Sequence, residues 1–142
     1  MAAKAYRGSC HCGAVRFEAD IDLSEGTMRC NCSYCRKSRA WFVTVPVSVV
    51  RLTSGGDFQT PYQWVKPGQQ EAHLLFQFCK KCGVRTFGHG GDKFSFVNVA
   101  ALDVEPAELI GTPIRYVDGR NDRYDHGGAP QGFCRVSRST SK

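Results

Sequence analysis

Ala72-His73-Leu74-Leu75-Phe76-Gln77-Phe78-Cys79-Lys80-Lys81-Cys82-Gly83 reads as a strand rich in leucine and phenylalanine that delivers a two-cysteine chelate at its end. The Cys-x-x-Cys-Gly turn has the form of a zinc knuckle. Its backbone N–H groups can point at the two sulfurs, and Gly83 permits the positive φ such a turn often needs. Knuckles work in pairs, so two further thiols must come from elsewhere in the chain. The candidates are Cys10-x-Cys12 and Cys30-x-Cys32-x-x-Cys35, and with them seven of the eight cysteines fall into three tight clusters. A closed structural zinc takes four thiolates, which leaves three. Three protein ligands and one free position is the pattern of a catalytic zinc.

Two groupings satisfy this count. In the first, Cys10 and Cys12 join Cys79 and Cys82, and Cys30, Cys32 and Cys35 form an open site on one loop. In the second, Cys32 and Cys35 join Cys79 and Cys82 as a zinc ribbon, and Cys10, Cys12 and Cys30 remain. The ribbon needs a longer separation between knuckles than ribbons usually show, and it splits a compact three-ligand loop. Local geometry favours the first grouping.

Around the clusters the chain reads as many short strands. Gly13 to Asp20 alternates apolar and polar residues, and Thr27 to Cys30 runs into the three-cysteine loop. Ser33 to Arg39 suits one helical turn. Trp41 to Val45 and Val47 to Leu52 read as strands about Pro46, and Ser54-Gly55-Gly56-Asp57 and Lys66-Pro67-Gly68-Gln69 as turns. Tyr62 to Val65, Thr86 to Gly88, Phe94 to Ala100 and Ile114 to Val117 complete the strands; only Pro106 to Ile110 has a helical claim. The expected fold is mainly β, many short strands with little helix. The expected organisation is a single zinc-binding domain over residues 1–136, with 137–142 as a frayed tail.

The 142 residues suffice for one domain with its own core. No apolar leader precedes the first cluster, and Trp41 to Leu52 is too short to span a bilayer, so a cytoplasmic protein is expected. Clustered cysteines there are metal ligands before they are disulfides. The formal charge is +6, but metal-bound cysteines are thiolates. Seven thiolates and two zinc ions bring the charge to about +3, which argues against a nucleic-acid partner. The C-terminal basic residues Arg135, Arg138 and Lys142 thin the folded surface's charge further. Phe76, Phe78, Phe94 and Phe96 alternate within strands and are expected in the core.

Three motifs, in this order, resemble the glutathione-dependent formaldehyde-activating enzyme (Gfa-like) family. They are Ser9-Cys10-His11-Cys12-Gly13-Ala14-Val15-Arg16-Phe17, Cys30-Asn31-Cys32-Ser33-Tyr34-Cys35-Arg36-Lys37 and Phe78-Cys79-Lys80-Lys81-Cys82-Gly83. The resemblance covers roughly residues 7 to 120 and implies an Mss4-like fold, several short coiled antiparallel sheets around a structural zinc. It implies a structural zinc on Cys10, Cys12, Cys79 and Cys82, and a catalytic, more weakly held zinc on Cys30, Cys32 and Cys35. It also implies carbon–sulfur lyase chemistry on an adduct of a small thiol and an aldehyde, glutathione and formaldehyde in the namesake. The alternative is a non-enzymatic zinc-binding interaction or chaperone-like module of the same fold. The seven-cysteine count favours the enzyme, because a structural module needs four.

The chemistry of zinc and thiols agrees with that implication. Zinc lowers the pKa of a bound thiol, and a thiolate is the nucleophile an aldehyde carbon needs. Glutathione is anionic, so cations are expected near the open loop. Arg36 and Lys37 follow it directly; Arg85 and His89 are weaker candidates. Many family members carry a glycine shortly after the Cys-Arg pair. Here Lys37-Ser38-Arg39-Ala40-Trp41-Phe42 stands instead, and the bulk of Trp41 is expected to reshape the pocket. His11 is expected to point away from the metal, Cys134 to be an ordinary thiol, and Asp118, Asp122 and Asp125 to pair with Arg120 and Arg123 on the surface.

Overall fold

The computed structural model describes residues 3–122. Its strands are β1 (Lys4–Ser9), β2 (Arg16–Ile21), β3 (Thr27–Cys30), β4 (Phe42–Pro46), β5 (Val50–Ser54), β6 (Gln59–Trp64), β7 (Leu74–Cys79), β8 (Arg85–Gly90), β9 (Phe94–Asn98) and β10 (Ile114–Val117). Two short helices, α1 (Ser33–Ser38) and α2 (Pro106–Leu109), interrupt them. The strands form a three-stranded sheet in the order β1-β2-β5 and a seven-stranded sheet in the order β10-β3-β4-β9-β8-β7-β6. The fold is mainly β, with several cysteines gathered where metal could bind.

Three local features depart from the sequence reading. β1 was not expected, because its alternation rests only on Tyr6 and on Gly8, which has no side chain to show. In the sheet Gly8 lies opposite Phe17, and a Cβ on Gly8 would come within 2.2 Å of that ring. The glycine is what lets the phenyl ring lie flat across the neighbouring strand. Second, Val47 to Val49 form a single 3-10 turn, and the following strand is β5. Pro46 ends β4, and the turn carries the chain from the large sheet to the small one. Third, β10 pairs with β3 in parallel, whereas the other strand pairs are antiparallel. The long connection from Cys30 to Ile114 frees β10 from the constraint that makes hairpin partners antiparallel.

The main core lies between the sheets. Phe17, Ala19 and Ile21 of β2 pack with Val43, Phe87 and Val97 of the large sheet. The Phe17 and Phe87 rings meet at 5.2 Å between centroids. Burying a side chain such as Phe17, 1% exposed, contributes about 1.5–3 kcal/mol. The large sheet has a second face. Along β4 the alternation sends Val43 and Val45 into this core and Phe42 and Thr44 to the other side. Along β9 it sends Val97 inward and Phe94 and Phe96 outward. That outer face carries the site.

Candidate metal centres and the cavity beside them

Two sulfur clusters are present among the described residues. The first joins Cys10, Cys12, Cys79 and Cys82, and the second Cys30, Cys32 and Cys35, each with its sulfurs within 4.8 Å of one another. This is the first of the two groupings open at the level of sequence.

Two similar hairpin loops build the four-sulfur cluster. Cys79 closes β7, with its N–H donating to Val84 at 3.0 Å, while Gly83 donates back to the Cys79 carbonyl at 2.7 Å. In the partner loop Cys10 donates to Val15 at 3.0 Å and Gly13 to Cys10 at 3.3 Å. Both glycines sit at positive φ, +81° for Gly13 and +79° for Gly83. The amides of Val15 and Lys81 point at the sulfurs of Cys10 and Cys79, at 3.3 and 3.4 Å. Cys10 and Cys12 sulfurs lie 3.6 Å apart and Cys12 and Cys79 sulfurs 3.8 Å apart, far too long for a disulfide. Four sulfurs at about 2.3 Å from a tetrahedral centre would be about 3.8 Å apart, so a zinc-sized ion fits this cage. Amide hydrogen bonds from Cys12 and Val84 pull the Cys82 thiol down to about 6, which readies it as a ligand.

In the three-sulfur cluster Cys30 ends β3, Cys32 caps the N-terminus of α1, and Cys35 lies in its first turn. The Cys32 amide donates to the Cys30 sulfur at 3.4 Å and the Cys35 amide to the Cys32 sulfur at 3.3 Å. All three residues are buried. Asn31, between two of them, donates to Asp118 at 2.9 Å and accepts from the Arg120 amide at 3.0 Å, which ties the loop to the segment after β10. Hydrogen bonds from Cys30 and Cys35 hold the Cys32 thiol far down, while those with Cys30 and Cys32 push the Cys35 thiol far up. Three buried thiols so close cannot all ionise without a cation, and a divalent metal resolves that conflict. Both clusters could therefore hold a metal ion. The second has no fourth cysteine, histidine or carboxylate ligand among the described residues.

Cys30, Cys32 and Cys35 line a cavity of about 550 Å³ on the outer face of the large sheet. Its wall is largely aromatic. Tyr34 stacks on Phe76 at 4.0 Å between centroids, Phe76 meets Phe96 at 5.1 Å, and Trp64 lies beyond. Among the described residues, Arg85 and Lys66 are the lysine and arginine side chains that line it. Arg85 donates to the Ser38 carbonyl and makes no ion pair among the described residues. Lys66 pairs with Asp122 at 2.5 Å and lies 5.9 Å from the centre of the Trp64 ring.

Arg36 and Lys37, the cations adjacent to the cluster in sequence, are exposed in the last turn of α1 and do not line the cavity. Of the weaker candidates, Arg85 lines it. His89 does not; it shares a 2.9 Å hydrogen bond with Ser95, and burial lowers its pKa. Trp41 lies on the other side of the sheet, packed on the main core, with its Nε1 donating to Thr27 at 2.6 Å. Its bulk therefore does not shape this cavity; Phe42 does, because alternation along the strand turns neighbours to opposite faces. His11 is exposed. Asp122 pairs with Lys66 and Asp118 with Asn31. Cys134, Asp125, Arg123 and the tail at 137–142 lie outside the described residues. Lys66, Trp64 and Tyr34 were not foreseen as site residues. The one signal was the aromatic run into the Lys66-Pro67-Gly68 turn. Phe76, expected in the core, is buried, yet Phe76, Phe94 and Phe96 all line the cavity.

The family model described as glutathione-dependent formaldehyde-activating enzyme matches residues 5–113. The chain belongs to that family. A crystal structure of a Rhodobacter sphaeroides protein from a structural-genomics programme is similar to it, with 32% identity and a TM-score of 0.63. The match covers 76% of this chain and 98% of that one. The residues matched to the glutathione-dependent formaldehyde-activating enzymes contain both sulfur clusters, Lys66 and Arg85. No helix among the described residues is long and apolar enough to cross a membrane.

Proposed function

We propose that the chain is a zinc-dependent carbon–sulfur lyase that makes or breaks the bond between a small thiol, glutathione in the first instance, and an aldehyde. One observation carries the reading: a three-cysteine cluster that lines a cavity and lacks a fourth ligand among the described residues. In this proposal Cys10, Cys12, Cys79 and Cys82 hold a structural zinc. Cys30, Cys32 and Cys35 hold a second, more weakly bound one. The described residues and the flanking ones up to 136 act as a single domain.

Zinc at the three-cysteine site supplies a lowered pKa for an incoming thiol, so that the thiolate exists near neutral pH. The chain's own residues do the rest. Cys32 N–H and Cys35 N–H brace the ligating sulfurs and fix their directions. Lys66 and Arg85 attract the carboxylates of glutathione, taking the role that Arg36 and Lys37 were expected to fill. The aromatic wall excludes water from the reacting carbon, which strengthens these charge contacts. The carbon–sulfur bond forms as the carbonyl π bond breaks, and the proton released by the thiol ends on the new hydroxyl oxygen. The reverse reaction returns that proton to sulfur.

Calorimetric titration of glutathione into the zinc-loaded chain tests this. Binding should weaken as salt rises and with Arg85→Ala, and should fall at least about tenfold in Cys35→Ser. Binding unchanged in Cys35→Ser would move the thiol to another site and overturn the proposal.

A further inference from the structure

A hydroxymethyl adduct adds one carbon and one oxygen to the thiol, about the volume of one or two waters at ~30 Å³ each. The cavity of about 550 Å³ has to take the thiol as well, so it is the character of the wall beside the cysteines that bears on the substituent. The apolar groups packed against the three cysteines are Met28, Tyr34, Ala40, Phe42 and Trp64, while the cations Lys66 and Arg85 line the same cavity. A thiol held at the cluster places its adduct carbon beside this wall, so the substituent on that carbon is the first thing the wall meets. Beyond it Phe76 and Phe96, with ring centroids 5.1 Å apart, continue the apolar surface. A small polar adduct would leave this surface wet or empty; a planar apolar group would bury it.

Building on the thiol–aldehyde reading above, we infer that the aldehyde carries an aromatic or comparably bulky apolar substituent, and that formaldehyde is not the substrate that fills the site. The reaction stays balanced as written, since only the substituent on the carbonyl carbon changes.

Two pairs of probes test this by calorimetry on the zinc-loaded full chain: S-benzylglutathione against S-methylglutathione, and benzyl mercaptan against ethanethiol. The benzyl member of each pair should bind at least about tenfold tighter, as burial of a phenyl ring predicts. Trp64→Ala, a change on the edge strand β6, should reduce that ratio, with a melting curve confirming that the variant is folded. A benzyl preference below tenfold in both pairs would overturn the inference and leave the thiol–aldehyde reading standing. A preference confined to the mercaptans, with no glutathione derivative bound, would uphold the apolar site and remove glutathione from the proposed function. Absence of binding by all four would overturn both.

Discussion

Gly55→Ala is expected to damage the first metal centre from a distance, because the turn it occupies presses on the loop that presents Cys10. Gly55 has φ +85° and ψ +24°, and its carbonyl accepts from the Phe58 amide at 2.9 Å. A Cβ there would lie 1.8 Å from the Ala14 carbonyl oxygen and 2.8 Å from the Val15 Cα. These are backbone atoms, so no rotamer change relieves the clash. Val15 is fully buried beside Cys10 and Cys79, and its amide donates to the Cys10 sulfur. Left-handed strain costs about 1 kcal/mol for a non-glycine residue, and the reduced freedom of the unfolded chain offsets about 0.5 kcal/mol. Displacing Ala14 and Val15 adds about 2–3 kcal/mol in lost packing and a weakened N–H to sulfur bond. The total is about 3 kcal/mol, or a fall in Tm of roughly 6–12 °C for a domain of this size. Gly68→Ala is the matched control. Its φ is +88°, yet none of the described residues comes within 4 Å of its Cβ position, so strain alone should cost about 1 kcal/mol or less. Urea titration of the two zinc-loaded variants measures the difference. A Gly55→Ala loss no larger than that of Gly68→Ala would refute the coupling between this turn and the metal loop.

The two clusters should respond differently to serine. Cys10→Ser, Cys12→Ser, Cys79→Ser and Cys82→Ser remove a ligand whose binding is coupled to folding, and Tm should drop by about 10 °C or more. Cys32→Ser should melt within a few degrees of wild type, because serine also caps a helix N-terminus well; a collapse there with Cys10→Ser unaffected would reverse the roles. Ser38→Ala should be neutral or stabilising by up to about 1 kcal/mol, since the buried Ser38 hydroxyl has no hydrogen-bond partner among the described residues and alanine favours the helix; a clear loss in urea titration would contradict this. Burial lowers the pKa of His89 below its ordinary 6.5, so below about that pH the unfolded chain takes up a proton that the folded chain resists, and stability falls with pH. The decline of Tm from pH 6.5 toward the lowered value should be shallower in His89→Gln, and identical slopes would remove His89 from that dependence.

The cysteines were legible because chelation imposes short spacings that survive in one dimension. Strands β3 and β10 were read at their observed ends, Thr27–Cys30 and Ile114–Val117, because β-branched and apolar residues begin and end sharply there. The cavity was not legible. Alternation in β4 and β9 tells which residues share a face, but Phe42 and Phe96 look the same whether that face meets a second sheet or an open cleft. The cations misled for a related reason. Arg36 and Lys37 adjoin the cluster in sequence, yet one turn of α1 carries them outward. Lys66 and Arg85 reach the cavity from a turn and a strand that only the sheet order brings near. β1 was hidden because Gly8 has no side chain to show its alternation, and the parallel pairing of β10 depends on a partner distant in the chain, which local propensity does not register.

The central claim is that seven cysteines make two unequal metal centres. Metal content per chain, measured after saturation with zinc and again after a mild chelator, tests it most directly. Two zinc ions are expected in the saturated chain and one after chelation, with the retained ion lost in Cys79→Ser and the labile one in Cys35→Ser. One ion in the saturated chain, or loss of both together, would contradict it.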